Sequence, residues 1–150
     1  MISTDNIAKA TVTIHASPAD TWKALTDPGL IKEYMFGTKV ISGWHEGSTI
    51  TWKGEWQCKQ YEDKGKILRM ELYRQLQYSH FSPMAGMEDV PENYHIVTID
   101  LEKKGMNTEV ILTQTNNADK EAKDHSEKNW KMMLDGLKKL LETAAGQKGN

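Results

Sequence analysis

The sequence feature that most constrains the fold is an amphipathic helix, predicted from about Asp119 to Ala145. Small and apolar residues recur there in steps of three and four, which places them on one helical face. These residues are Ala122, Ser126, Trp130, Met133, Leu134, Leu137, Leu141 and Ala144. A helix with such a face needs an apolar surface to cover it.

The other face and both ends of this segment also favour a helix. The pairs Glu127–Lys131 and Asp135–Lys139 have the order that favours ion pairs four residues apart. Asn117 or Asp119 can cap the start, and Gly146 is suited to follow the end. We expect this helix to be the longest of the protein, with Trp130 and Leu137 facing inwards.

The preceding residues are expected to form an antiparallel sheet that supplies the apolar surface. Residues 7–16 alternate in polarity as a half-buried strand does, and Ser17-Pro18 then begins the first of two short helices. About six strands follow from Lys39, and Asp63-Lys64-Gly65 is interpreted as a turn between two of them. This order predicts an α+β fold, with the sheet covered by the long helix.

Composition and charge restrict the class of protein. The 150 residues are predicted to form one domain, 1–150, with residues 146–150 as a flexible tail. A net charge of −2 does not favour nucleic-acid binding, and no apolar run is long enough for membrane insertion. No signal peptide is visible and Cys58 has no partner for a disulfide, so we expect a cytoplasmic protein.

Several strings resemble the START-like (SRPBCC) helix-grip superfamily, in the branch named after the activator of the heat-shock-protein-90 ATPase. They are Ser17-Pro18 to Trp22, Leu25-Thr26-Asp27-Pro28, Trp52-Lys53-Gly54, Tyr61-Glu62-Asp63-Lys64-Gly65, Pro91-Glu92-Asn93-Tyr94-His95 and His125-Ser126-Glu127-Lys128-Asn129-Trp130. The resemblance covers about Ile7 to Glu142 and implies a curved antiparallel sheet, like that of the birch pollen allergen, wrapped around the C-terminal helix. Members of the superfamily bind lipids, polyketides, hormones and other apolar ligands between sheet and helix, and some are cyclases or hydrolases. Eukaryotic chaperone activators of this branch carry a second domain that is absent here, so the resemblance does not by itself predict a chaperone partner.

The first hypothesis is therefore an apolar small-molecule ligand in a cavity between the sheet and the long helix. The predicted contacts are Trp52, Tyr78, Phe81, Met84, Trp130, Met133 and Leu137. The same helical stripe also fits an ordinary packed core. Tyr78 and Phe81 differ in strand parity, so we place Phe81 at the cavity mouth, beside a mobile loop over residues 83–93.

Two other hypotheses remain at this stage. One is a cyclase or hydrolase that uses His80, His95, Tyr78 or Tyr94 as acid or base, and the other is a module for protein interaction, with a homodimer as one option. The spacing of His80, Asp89, Glu92 and His95 matches no standard zinc pattern, and Cys58 lies in no activating motif. We therefore predict no metal and no cofactor, and we assign no catalytic residue.

Overall fold

The structure is a computed structural model, and it describes residues 6–56, 58–83 and 86–148. Its elements, in chain order, are β1 (Ala8–Ile14), α1 (Pro18–Thr26), α2 (Pro28–Tyr34), β2 (Lys39–Ser42), β3 (Thr49–Trp56), β4 (Lys59–Glu71), β5 (Gln75–His80), a 3-10 helix (Pro91–Asn93), β6 (His95–Lys104), β7 (Asn107–Gln114) and α3 (Lys120–Lys148). The predicted α+β helix-grip architecture is confirmed.

The seven strands form one antiparallel sheet in the order β1-β7-β6-β5-β4-β3-β2. Side chains alternate across it, as the strictly alternating burial of β1 shows. The inner face carries Ile67, Leu76 and Val97 against α3, and all three are buried in the core. The outer face is partly covered by the segment between β5 and β6.

The interpretation of Asp63-Lys64-Gly65 as a turn is wrong, because these residues lie in the middle of β4. A Cβ atom on Gly65 would stand 1.7 Å from the backbone oxygen of Ser79 on β5. The glycine therefore permits a close approach of two strand backbones, near the register shift between Ile67 and Arg69. The consequence is that Asp63 belongs to a strand and faces the interior.

The first short helix begins as its sequence predicts. The Ser17 side chain accepts a hydrogen bond from the backbone N–H of Asp20, and Pro18 occupies the first helical position. Asp27 ends α1 and caps α2 by accepting from the N–H of Gly29 at 2.9 Å. Along the chain, the two helices connect β1 to β2. They bring Tyr34 against α3.

Helix α3, with 29 residues, is the longest element, as predicted. Asp119 caps it by accepting from the N–H of Ala122, and Leu137 is fully buried against the sheet. The helix continues through Gly146 to Lys148 instead of ending at Ala145. One glycine costs a helix about 1 kcal/mol and does not have to end it. Residues 149–150 of the predicted flexible tail lie outside the described residues.

Gly136 of α3 faces Tyr34 of α2. A Cβ atom at Gly136 would lie 3.4 Å from the Cβ of Tyr34 and 3.5 Å from its backbone oxygen. These distances are ordinary van der Waals contacts. The contact with α2 therefore leaves room for a Cβ atom at this position.

The charged side of α3 pairs differently from the prediction. The ion pairs are Lys123–Glu127, Lys131–Asp135 and Lys138–Glu142. Four of these side chains also form hydrogen bonds with backbone groups of residues 9–15, in and next to the edge strand β1. Glu127 accepts from the N–H of Lys9, and Glu142 accepts from the N–H of His15. Lys131 donates to the backbone oxygen of Thr11, and Lys138 donates to that of Thr13. They satisfy an edge that would otherwise offer open backbone groups to another strand.

Candidate functional site

The candidate site is a pocket between α3, the segment after α2, and the inner face of β3 to β5. Its inner cavity has a volume of about 80 Å³ and is lined by Met35, Thr38, Trp52, Tyr61, Asp63, Tyr78, His80 and Trp130. A wider mouth of about 270 Å³ shares four of these residues and adds Phe36, Gln114, Ser126, Asn129 and Met133. We call the cavity and its mouth together the inner pocket.

Aromatic rings form the walls of the inner pocket. The ring centroid of Trp52 lies 5.1 Å from that of Tyr78 and 5.0 Å from that of His80, in tilted and edge-on arrangements. The Trp130 indole N–H donates to Oε1 of Gln114 at 2.5 Å, which positions this ring against β7. The hydroxyls of Thr38 and Tyr61 form a hydrogen bond of 2.6 Å.

Asp63 and His80 form a polar pair inside this aromatic wall. Asp63 Oδ2 lies 2.9 Å from His80 Nε2, and only 16% of the Asp63 side chain is exposed. The second carboxylate oxygen, Oδ1, is buried and has no hydrogen-bond partner among the described residues. A buried acceptor without a donor costs free energy, about 1–3 kcal/mol or more for a charged group. Asp63 Oδ1 is therefore an unused acceptor of a residue that lines the inner cavity.

His95 is the cross-strand neighbour of His80, with ring centroids 6.2 Å apart. Its Nδ1 lies 2.9 Å from the backbone oxygen of Thr115. A carbonyl oxygen can only accept, so Nδ1 carries the hydrogen and Nε2 is the acceptor of the neutral ring. Burial holds the pKa of His95 below its ordinary value; the bond to Thr115 opposes this effect, and a charge on His80 adds to it.

This lowered pKa predicts a loss of stability in acid. Above the ordinary histidine pKa of about 6.5, His95 is neutral in both the folded and the unfolded state. As the pH falls below that value, the unfolded chain binds a proton more readily than the folded one, so the free energy of unfolding decreases. Urea denaturation between about pH 7 and pH 5 measures this decrease.

If His95 causes this decrease, the free energy of unfolding of His95→Asn should change less between pH 7 and pH 5 than that of the wild type. The asparagine amide can still donate to the backbone oxygen of Thr115. His125→Asn on the exposed surface of α3 is the matched control and should keep the wild-type slope. Equal slopes in all three proteins would contradict the prediction.

Tyr78 supplies a neutral hydroxyl to the same pocket. Burial raises the pKa of Tyr78 above its ordinary value, so the phenol stays protonated under physiological conditions. It can therefore act as a hydrogen-bond donor but not readily as a base. Tyr94, the other tyrosine considered as an acid or base, lies on the outer face of the sheet, because its neighbour His95 faces inwards.

The predicted contact residues fall into three groups. Trp52, Tyr78, Trp130 and Met133 line the inner pocket. Leu137 is fully buried in the core and lines no part of this pocket. The remaining two are Phe81, which lies elsewhere, and Met84, which lies outside the described residues.

Phe81 does not lie at the mouth of the inner pocket. It is opposite Lys64 in an isolated bridge, and residues that face each other across two strands point to the same side of a sheet. Lys64 is exposed on the outer face, and Phe81 is buried there with its ring centroid 5.0 Å from that of Tyr94. The sequence indicated that Phe81 and Tyr78 differ in strand parity. It did not indicate that Phe81 lies on the outer face of the sheet.

The loop over residues 83–93 was predicted to lie beside the mouth of the cavity, and this is wrong, because its described residues cover the outer face of the sheet. Asp89, Pro91 and Glu92 of the segment 83–93 line a groove of about 720 Å³ on the outer face of the sheet. No described residue of this segment lines the inner pocket. The predicted mobility of the loop stays a prediction.

Sequence reasoning missed Thr38, Tyr61 and Asp63 as pocket residues. The signal for the last two was present, because Tyr61, Asp63, Gly65 and Ile67 alternate as the inner face of one strand. The turn-forming character of Asp63 and Gly65 concealed that pattern. Thr38 follows Phe36 and Gly37, which both have positive φ, and no sequence signal indicated where that bend would place it.

Three further observations concern metal ligands, the cysteine and membrane-spanning helices. Among residues 6–56, 58–83 and 86–148, no three His, Cys, Asp or Glu side chains are grouped as metal ligands would be. Cys58 is exposed in the connection between β3 and β4. The described helices include none that is long and apolar enough to span a membrane.

Comparison with solved structures finds several with this fold. ChR145 from Cytophaga hutchinsonii is 52% identical, with a TM-score of 0.83 and coverage of 97% of this chain and 99% of that one. The Aha1 dimer from Colwellia psychrerythraea is 22% identical, with a TM-score of 0.72 and coverage of 91% and 96%. CalU16 from Micromonospora echinospora is 19% identical, with a TM-score of 0.70 and coverage of 98% and 88%.

A search of curated proteins finds no match. The family model described as "Activator of Hsp90 ATPase homolog 1-like protein" matches residues 15–142. That range contains α1 to β7 and all of α3 up to Glu142, and it agrees with the branch of the START-like superfamily that the sequence resembles. Because the match spans most of the sequence, this chain belongs to the family of Activator of Hsp90 ATPase homolog 1-like proteins.

Proposed function

We propose that the protein binds a small apolar molecule that carries a hydrogen-bond donor, and that the inner pocket is its site. The observation that carries this proposal is Asp63 Oδ1, a buried acceptor without a partner among the described residues, inside an aromatic wall. Trp52, Tyr78 and Trp130 would contact the apolar body of the ligand. Its donor would bind Asp63, whose other oxygen is already held by His80.

The size of the pocket restricts the ligand. Sites for drug-sized molecules commonly measure about 300–1,000 Å³, and the mouth, at about 270 Å³, is close to the lower limit. The inner cavity adds only about 80 Å³. These volumes favour a compact ligand with one or two rings, such as an aromatic or polyketide-like molecule, over a lipid with long acyl chains.

The entrance supports the same proposal. Phe36 is 70% exposed beside the mouth, and its φ of 54° is uncommon for a residue other than glycine. Ser126 and Asn129 supply polar groups on the α3 side of the opening. A partly apolar ligand could therefore pass between Phe36 and α3 and meet polar groups at both ends of its path.

The test compares two probes that share one ring system. The first, naphthol, carries a hydroxyl donor, and the second, methoxynaphthalene, does not. We expect the wild type to bind naphthol about tenfold or more tightly, since a hydrogen bond to a charged group contributes about 1.5–3 kcal/mol. Asp63→Asn places an amide that can donate near the ligand hydroxyl and should remove this preference. Isothermal titration calorimetry measures both affinities.

The matched control is Glu62→Gln, which neutralises the neighbouring carboxylate on the exposed side of β4. This variant should keep the preference for naphthol. Equal affinity of the wild type for both probes, or an unchanged preference in Asp63→Asn, would contradict the proposal.

Acid–base catalysis in the same pocket is a second candidate function. The observation that favours it is the 2.9 Å contact between Asp63 and His80, which would orient the imidazole, with His95 nearby. Native mass spectrometry of protein from its own source separates the two functions. A retained molecule that is released unchanged supports binding, whereas conversion of that molecule by the purified protein supports catalysis.

Association and location are further parts of the proposal. The similar Aha1 protein from Colwellia psychrerythraea is described as a dimer, and this supports a homodimer as one option for this chain. A cytoplasmic location rests on the sequence alone, and both points stay predictions.

A further inference from the structure

The outer groove lies on the face of the sheet opposite to α3. Its floor is formed by the outward-facing residues Lys66 and Leu68 of β4, Ser79 of β5 and Ile96 of β6, and one wall is formed by Pro91 and Tyr94. With a volume of about 720 Å³, it is within the usual range for small-molecule sites. The inner pocket and the outer groove are separated by the sheet, so they are distinct sites.

The wall of the outer groove is held by specific contacts. Tyr94 stacks on the buried ring of Phe81, and its hydroxyl donates to Asp89 at 2.6 Å. Asp89 in turn forms an ion pair with Lys64. A concave surface that is already ordered loses less conformational entropy when a ligand binds.

Asn116 ties this wall to the end of β7. Its φ of 63° turns the chain so that the side-chain amide donates to the backbone oxygens of Glu92, at 2.7 Å, and of Tyr94, at 3.1 Å. Two backbone groups of the wall are thereby satisfied by one side chain. The position of the aromatic wall is thus set by both the ion pair and this amide.

Two lysines, Lys64 and Lys66, and two carboxylates, Asp89 and Glu92, line the outer groove. Lys64 is paired with Asp89, whereas Lys66 forms no ion pair within the described part of the chain. Lys66 is on β4, whereas Glu92 belongs to the 3-10 helix that precedes β6. An anionic group placed at Lys66 would therefore lie near a cation that no described carboxylate pairs with.

We propose that the outer groove binds an apolar organic anion. Leu68, Ile96 and the Tyr94 ring would contact its apolar body, and the Lys66 ammonium would bind its carboxylate or sulfonate. A peptide strand added to the sheet is not favoured, because β4, β5 and β6 are each paired on both sides and offer no open edge here. The volume of about 720 Å³ suits a small molecule instead.

The test uses two fluorescent probes of similar shape, anilinonaphthalene sulfonate, which is an anion, and phenylnaphthylamine, which is neutral. We expect Lys66→Gln to weaken the binding of the anionic probe about three- to tenfold and to leave the neutral probe unchanged. Lys39→Gln, on an exposed residue of β2 outside the groove, is the matched control and should change neither affinity.

Methyl NMR locates the bound anionic probe. The methyl groups of Leu68 and Ile96 face the outer groove, whereas those of Ile67 and Met133 are inside the protein. We expect shifts at Leu68 and Ile96. Shifts confined to the inner methyl groups, no binding at all, or equal affinity of the wild type and Lys66→Gln for the anionic probe would overturn the proposal. The inner-pocket proposal is tested separately by Asp63→Asn.

Discussion

Replacing Leu137 with alanine is expected to lower the free energy of unfolding by about 2–5 kcal/mol. Leu137 is fully buried between α3 and the sheet, and it lines no part of the inner pocket. The substitution removes apolar contacts and leaves a cavity that a packed core can close only in part. Urea denaturation at neutral pH measures the change.

The control for this experiment is Leu72→Ala. Leu72 is 62% exposed just after β4, so the same chemical change there should cost no more than about 0.5 kcal/mol. A cost below about 1 kcal/mol at Leu137 would mean that the site has free volume. In that case the sequence-based prediction of Leu137 as a ligand contact would be favoured over its place in the packed core.

The second large effect is expected from Met133→Trp, which should abolish probe binding in the inner pocket. Met133 is nearly buried and borders the mouth of about 270 Å³, so the indole can enter existing space. The cost in the free energy of unfolding should stay below about 1 kcal/mol, because overpacking costs about 1–3 kcal/mol only where no space exists. Calorimetric titration with naphthol and urea denaturation provide the two measurements.

Leu134→Trp is the matched control, since it introduces the same side chain one residue further along α3. Leu134 is fully buried and lines neither the cavity nor the mouth. Its substitution should cost about 1–3 kcal/mol or more. If Met133→Trp is as destabilising as Leu134→Trp and the wild type binds no probe, the pocket region is a packed core and the ligand-binding proposal fails.

Among the proposed site residues, the predictable ones lie on elements with regular local patterns. Trp130 and Met133 follow from the helical periodicity of α3, and Tyr78 and His80 follow from their shared parity on β5. These assignments need only the residues within one element. For that reason they could be made before any tertiary contact was known.

Asp63 and Phe81 show where the local pattern was insufficient. Asp63 was hidden because an aspartate two residues before a glycine also fits a turn. Its place in β4 depends on the approach of Gly65 to Ser79, which belongs to another strand. The position of Phe81 depends on Tyr94 and on which face of the sheet the segment after β5 covers. These are contacts between residues that are distant along the chain.

The order of elements, the apolar face of α3 and the α+β class can be predicted from the sequence alone, because the periodicity of side chains is a property of each segment. The helix-grip type followed from the resemblance to the START-like superfamily. Three features became known only from contacts between distant segments: Asp63 joins His80 on the inner face of the sheet, the charged face of α3 binds the edge of β1, and a groove of about 720 Å³ lies on the outer face. Strand register and the path of a loop are set by pairing between distant segments, and that pairing leaves no periodic signal in either segment alone.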